Sequence, residues 1–228
     1  MMRPGLLITV SLAGAALMSL EMASFRLVEP ELGSDIVVWG SLISVFLGGL
    51  AIGSIVGGRW ADSRPSLAKL GLILATGGAV ALAIPLYADA VLAWTYPGAG
   101  APLPSEWGTG GAGGTTLAVY HPPDMRWPAL LAGTLLFGLP AVLLGMVSPY
   151  AARLFIREMP HMGASLGQVY GVSTIGSILG TLGTAFYLIA IMGTRSLLSL
   201  NGAVLLALGA ALVVAGSMRR RRLPEAGA

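Results

Sequence analysis

The chain has 228 residues, 55% of them apolar and only 10% Asp, Glu, Lys or Arg, against roughly 25% charged in an ordinary soluble domain. That balance excludes a soluble enzyme, and its high hydrophobicity excludes a disordered chain. The formal net charge is +3 and there is no cysteine, which removes disulfides, iron–sulfur clusters, thiolate zinc sites and covalently attached haem.

A helix needs about 20 apolar residues to cross the hydrocarbon core of a bilayer. Six segments of that length lie between charges, at about 5–28, 36–58, 69–91, 128–150, 166–191 and 196–217. The first reads as an uncleaved span, because no small-residue cleavage site follows the apolar stretch after Arg3 and the helical pattern continues past Glu21. Glu21 is the one acidic residue well inside a span. An isolated carboxylate there costs at least about 2.5 kcal/mol, so it faces the protein interior, pairs, or stays protonated. Glu21 is therefore a candidate functional residue, with a structural hydrogen bond to a neighbouring Ser or Thr as the other reading. Arg26 is its nearest cation in sequence, but five helical residues rotate the two by about 140°.

The second span holds 23 uncharged residues between Asp35 and Arg59. Its Gly49, Gly53 and Gly57 recur every four residues, clearing one face so that another helix backbone can approach. Arg59 and Asp62 follow in a short charged connection, a candidate hinge. Pro85 in the third span, and Pro140 and Pro149 in the fourth, free backbone carbonyls and bend their helices. Between these two spans lies the one long connection, 92–127, rich in Gly and Pro and carrying Trp94, Trp107, Tyr120 and Trp127, which read as interfacial anchors. The fifth span repeats the small-residue device with Gly167, Gly171, Gly176 and Gly180, and with Ser173 and Ser177 between. Close packing within the subunit accounts for both glycine faces; an oligomer contact or a sliding gate is the alternative. The sixth span also has 23 uncharged residues, between Arg195 and Arg219, and a basic tail at 219–228 ends the chain.

Six spans put both termini on one side. With the termini inside, ten of the 13 Lys and Arg residues are cytoplasmic, and only Arg26, Arg126 and Arg195 lie outside. The positive-inside rule then predicts N-in and C-in. The long loop is thereby external, and the outer face gathers Glu29, Glu31, Asp35, Asp89, Glu106 and Asp124. The expected setting is a multi-pass protein of a cell membrane, a bacterial inner membrane.

Several chemistries are set aside. Residues 108–113 fit the letters of a dinucleotide-binding glycine loop, but no apolar strand precedes them and no helix with a ribose-binding acid follows. Both histidines, His121 and His161, fall in loops, so a haem with intramembrane axial ligands is not expected. The single lysine, Lys69, sits at a membrane edge, away from a retinal position. No cofactor, no metal and no nucleic-acid partner is expected.

Two stretches together resemble the membrane domain of spermidine synthase-like membrane proteins, often described as fused major-facilitator/spermidine synthase proteins. The first is Glu21 to Asp62, with an acidic residue in helix one, Arg26, the Gly33-Ser34 turn, Val38-Trp39, the glycine-spaced second helix and Gly58-Arg59-Trp60-Ala61-Asp62. The second runs from Ser148-Pro149 through Arg153 to Gly167-Gln168-Val169-Tyr170 and on over residues 173–195. Together they cover about 90 residues in four of the six spans. The resemblance implies an all-α, six-helix transmembrane bundle like one half of a major facilitator transporter, and it implies that Arg59 and Asp62 belong to a cytoplasmic hinge. The family's soluble half resembles an aminopropyltransferase; the last span here ends eleven residues before Ala228, so no catalytic residue carries over.

The expected function is a noncatalytic membrane module that anchors or assembles with a partner. Expected partners are the lipid bilayer, a protein partner or a second copy through the glycine faces, and an aminopropyltransferase-like soluble protein. Two alternatives stand beside it: a small transporter or half-transporter for a cationic solute such as a polyamine, with Glu21 as counter-charge, and a structural subunit of an unrelated membrane complex.

Overall fold

The computed structural model describes residues 2–63, 65–97, 125–155 and 162–221. Among these residues the chain is helical, with no strand. Six helices are long and apolar enough to cross a membrane. They are α1 (Met2–Leu32), α2 (Ile36–Asp62), α3 (Leu67–Thr95), α4 (Arg126–Phe155), α5 (Gly163–Ile191) and α6 (Thr194–Arg221).

The helices outrun the spans that hydropathy marks. α1 has 31 residues, about 45 Å at a rise of 1.5 Å per residue, against a hydrocarbon core of about 30 Å. That excess length leaves room for its last two turns, with Arg26, Glu29 and Glu31, to lie beyond the hydrocarbon core. What ends α1 is Gly33, whose φ of 80° is a left-handed conformation, and whose N–H donates to the Glu29 carbonyl at 2.9 Å. Asp35 then caps α2 by accepting from the Ile36 N–H at 2.6 Å, and Ser66 caps α3 by accepting from the Lys69 N–H at 3.2 Å.

The same overrun trims two expected boundaries. The 92–127 connection is helical at both edges, since α3 reaches Thr95 and α4 begins at Arg126. α6 continues through Arg221, so the basic tail starts on the helix. The remainder of that loop, with Trp107, Tyr120, His121 and the 108–113 glycine tract, lies outside the described residues, as do Arg64, Arg157, His161 and residues 222–228.

α4 and α5 each contain one widened π turn, at Thr134–Gly138 and Thr184–Leu188. The first lies just before Pro140, which lacks an N–H and so cannot continue the ordinary ladder.

The bundle is three intimate pairs: α1 with α5, α2 with α4, and α3 with α6. Glycine sets the distance in each. A Cβ at Gly49 would lie 2.5 Å from the Ala141 Cβ, one at Gly57 2.7 Å from the Met146 Cα, and one at Gly53 would run into the Val142 carbonyl. In α5, Gly176 and Gly180 press on the α1 backbone at Ser11 and Ala15. α3 and α6 touch reciprocally, Gly71 on Gly209 and Gly78 on Gly202. The paired numbers rise together in the first two pairs, so those helices are parallel, whereas α3 and α6 are antiparallel. Exchanging α1, α2 and α3 with α4, α5 and α6 leaves this pairing unchanged. Because three crossings reverse direction, the two triplets run oppositely through the bundle.

Candidate functional site

The four helices of the two parallel pairs, α1, α2, α4 and α5, flank a partly open cavity of about 220 Å³, with Ser54, Tyr170 and Thr174 at its exposed side. Gly14 and Gly145 line it and admit neighbouring backbone and hydroxyls: a Cβ at Gly14 would lie 2.9 Å from the Ser177 Oγ, and one at Gly145 would lie 2.8 Å from the Leu50 Cα. Its polar wall is made of the hydroxyls of Ser54, Ser148, Ser173, Thr174 and Ser177. Thr174 donates its proton to the Tyr170 carbonyl at 2.9 Å, and Ser54 donates to the Gly145 carbonyl at 3.4 Å. Ser148 and Ser173 share a hydrogen bond of 3.4 Å.

Glu21 does not line this cavity, but it stands four residues beyond Leu17, which does. Positions four apart share a helix face, and long helical side chains lean back over the preceding turn toward the N-terminus. The half-buried Glu21 thus stands on the helix face that carries Leu17, one turn beyond the cavity. Among the described residues no side chain pairs with its carboxylate. Arg26 does not meet it: its guanidinium lies 3.5 Å from the Glu29 carboxylate, at the exposed end of α1.

Because no group among the described residues loses a partner when Glu21 is changed, both Glu21→Gln and Glu21→Leu are expected to fold. Removing an unpaired charge from the span makes Glu21→Leu melt at or above the parent temperature in detergent. A fall of several degrees in both variants would show a partner that the carboxylate stabilises.

The other candidate residues fall at the two ends of the bundle. Where α1 begins, Asp62 of α2 reaches Arg153 of α4 at 3.4 Å, while Arg59 is exposed. Trp60 beside them packs edge-on against the buried Tyr150, 6.4 Å between centroids, and the Lys69 ammonium sits 5.9 Å above the Trp60 ring. The Tyr150 hydroxyl accepts from the Ser66 N–H at 3.2 Å. The α2–α3 connection is therefore tied to α4, and neither Tyr150 nor the ion pair with Arg153 was visible from local spacing. At the opposite end Arg195 pairs with Asp89 and donates to the Pro85 carbonyl at 3.2 Å.

The glycine stripe of α5 divides. Gly176 and Gly180 are committed to α1, whereas Gly167 and Gly171 have nothing within 4 Å of where a Cβ would stand. One turn past Gly180, the buried Thr184 donates to the Ser19 Oγ at 2.7 Å, and Asn201 of α6 donates to the same oxygen at 2.8 Å. This polar knot joins three helices and escaped the sequence reading, because nothing local pairs Ser19, Thr184 and Asn201 across three separate spans.

Fold and site together define a multi-pass helical membrane protein. Comparison of the chain with family models, with curated proteins and with solved structures gave no match.

Proposed function

We propose that the chain is a noncatalytic integral membrane module that assembles with a membrane partner through α5, and that it resembles the membrane domain of spermidine synthase-like proteins. The observation that carries this reading is the coverage of α5. Only 11% of its most apolar window is buried, against 56% in α1 and in α4. On that open helix Gly163, Gly167 and Gly171 recur every four residues with free space around each. Rows of this kind let two membrane helices approach closely, and every other such row named above is already occupied within the chain. The exchange of α1–α3 with α4–α6 supports the likeness to a major-facilitator half, because inverted triplets are how many transporter halves are built. The proposed setting is a bacterial inner membrane with both termini cytoplasmic, and the resemblance adds an aminopropyltransferase-like soluble protein to the assembly.

Purification of the whole chain in mild detergent tests this. The expected particle contains a second membrane-spanning protein or a second copy. Gly171→Trp, which the isolated chain has room for, lowers recovery of the companion at least about tenfold while the chain itself stays monodisperse. A parent chain that purifies alone, as a monomer, overturns the reading.

A second reading, a half-transporter for a cationic solute, is favoured by Glu21, unpaired among the described residues, on the face of α1 that carries Leu17.

A further inference from the structure

We infer that the cavity between α1, α2, α4 and α5 is a binding site for a small organic ammonium ion, with Glu21 supplying its counter-charge. The inference shares Glu21 with the transporter reading but concerns binding alone, so it stands or falls whether or not the chain moves the ligand across.

The cavity wall decides the class of ligand. A hydroxyl has one proton and two lone pairs. Thr174 and Ser54 have already committed their protons to the carbonyls of Tyr170 and Gly145, and one of Ser148 and Ser173 has committed its own to the other. Three of the five wall hydroxyls thus turn only lone pairs toward the cavity, while Ser177 and the acceptor of the Ser148–Ser173 bond each keep a proton. A wall with more acceptors than donors favours a ligand rich in donors. A neutral polyol brings as many acceptors as donors and leaves acceptor facing acceptor, whereas an ammonium group brings up to three N–H donors and no acceptor.

Charge points the same way. No cationic or anionic side chain lines the cavity, so an anion would find few hydroxyl protons and no cation, set against the lone pairs of the wall and the carboxylate one turn away. A cation meets Glu21, unpaired among the described residues, one turn from Leu17, and the pair removes two unfavourable terms at once: a lone carboxylate in the span and a lone ammonium in a cavity otherwise walled by apolar residues such as Leu17 and Leu144. The volume, about 220 Å³, equals about seven waters at ~30 Å³ each. That admits an alkylammonium of a few carbons.

The absence of cysteine makes the test direct. In the full chain carrying Ser177→Cys, the rate at which the neutral reagent methyl methanethiosulfonate modifies the new thiol is measured with and without propylammonium. Tetramethylammonium, a charge without N–H donors, and glycerol, hydroxyls without a charge, serve as comparison probes. Propylammonium is expected to slow modification at least about tenfold, and the other two less than about twofold. Adding Glu21→Gln should raise the half-protecting propylammonium concentration at least about tenfold, with the unprotected rate unchanged as the sign of an intact fold. Ser173→Cys provides a second reporter should the first variant be poorly behaved. Equal protection by glycerol, absence of protection by propylammonium at both reporters, or a half-protecting concentration indifferent to Glu21→Gln would each overturn the inference.

Discussion

Gly53→Leu is expected to break the bundle between α2 and α4. A side chain at this position meets the Val142 carbonyl and, 3.0 Å away, the Cα of Gly145. These are backbone atoms, which cannot swing aside as the end of a long side chain can. Relief requires the helices to separate, and separation uncouples what they share: the Phe46 and Phe137 rings at 5.7 Å, and the approach of Gly145 to the Leu50 Cα at 2.8 Å. Overpacking a well-fitted core costs about 1–3 kcal/mol even when side chains yield. With only backbone to move, the loss should exceed about 3 kcal/mol, or about 10 °C in melting temperature. Gly48→Leu is the control on the same helix, since nothing lies within 4 Å of a Cβ there. Thermal melting in detergent should separate the two variants clearly. Equal melting would mean that α2 and α4 are held apart by something other than contact at this face.

The number of spans, and the helical class, were legible because the membrane imposes them. A segment with no charge for 23 residues between Asp35 and Arg59 has few options in a chain this apolar. Helix ends were less legible, because hydropathy reports where lipid stops, whereas the chain stops its helices by local devices such as Gly33 and the Asp35 cap. The α2 glycines could be read because three of them follow one another at a spacing of four. The α3–α6 contact went unread because its glycines, Gly71 with Gly78 and Gly202 with Gly209, recur every seven residues. That is two turns, so the stripe is real but half as dense, and only reciprocal contact with a distant helix distinguishes it from the scattered glycine of any membrane segment. The cavity was invisible for a different reason. Its hydroxyls come from α2, α4 and α5, and serine in a span says nothing of whether its proton is already committed to a carbonyl. Glu21 stood out at once, since a single charge in lipid is a strong signal. Its lack of a partner, and its place one turn beyond Leu17, needed the packed helices.

Sequence gives Gly171 and Gly176 the same description, two glycines in one small-residue stripe of α5, and their variants are expected to diverge. At Gly176 an added Cβ runs into the Ser11 backbone, 2.7 Å from its carbonyl carbon. At Gly171 it meets nothing within 4 Å. Gly176→Leu must therefore push α5 off α1 along the length that also brings Gly180 to Ala15 and Thr184 to Ser19. Loss of that last contact leaves the buried Ser19 oxygen with one donor instead of two, and Thr184 with none of its partners across the interface. The combined effect should match that of Gly53→Leu, more than about 3 kcal/mol, because the α1–α5 contact is the counterpart of α2–α4 under exchange of the two triplets. Gly171→Leu should melt with the parent, or slightly above it through the better helix propensity of leucine, worth up to about 1 kcal/mol. The measurement that checks the pair is melting of each purified variant, followed by recovery of the companion. Gly176→Leu should fail at the first step. Gly171→Leu should pass it and lose the companion at the second, because its added bulk occupies the space that an approaching helix needs. Should both variants melt low, α5 packs against more of its own chain than the open row at Gly163, Gly167 and Gly171 implies, and the proposed assembly face closes with it.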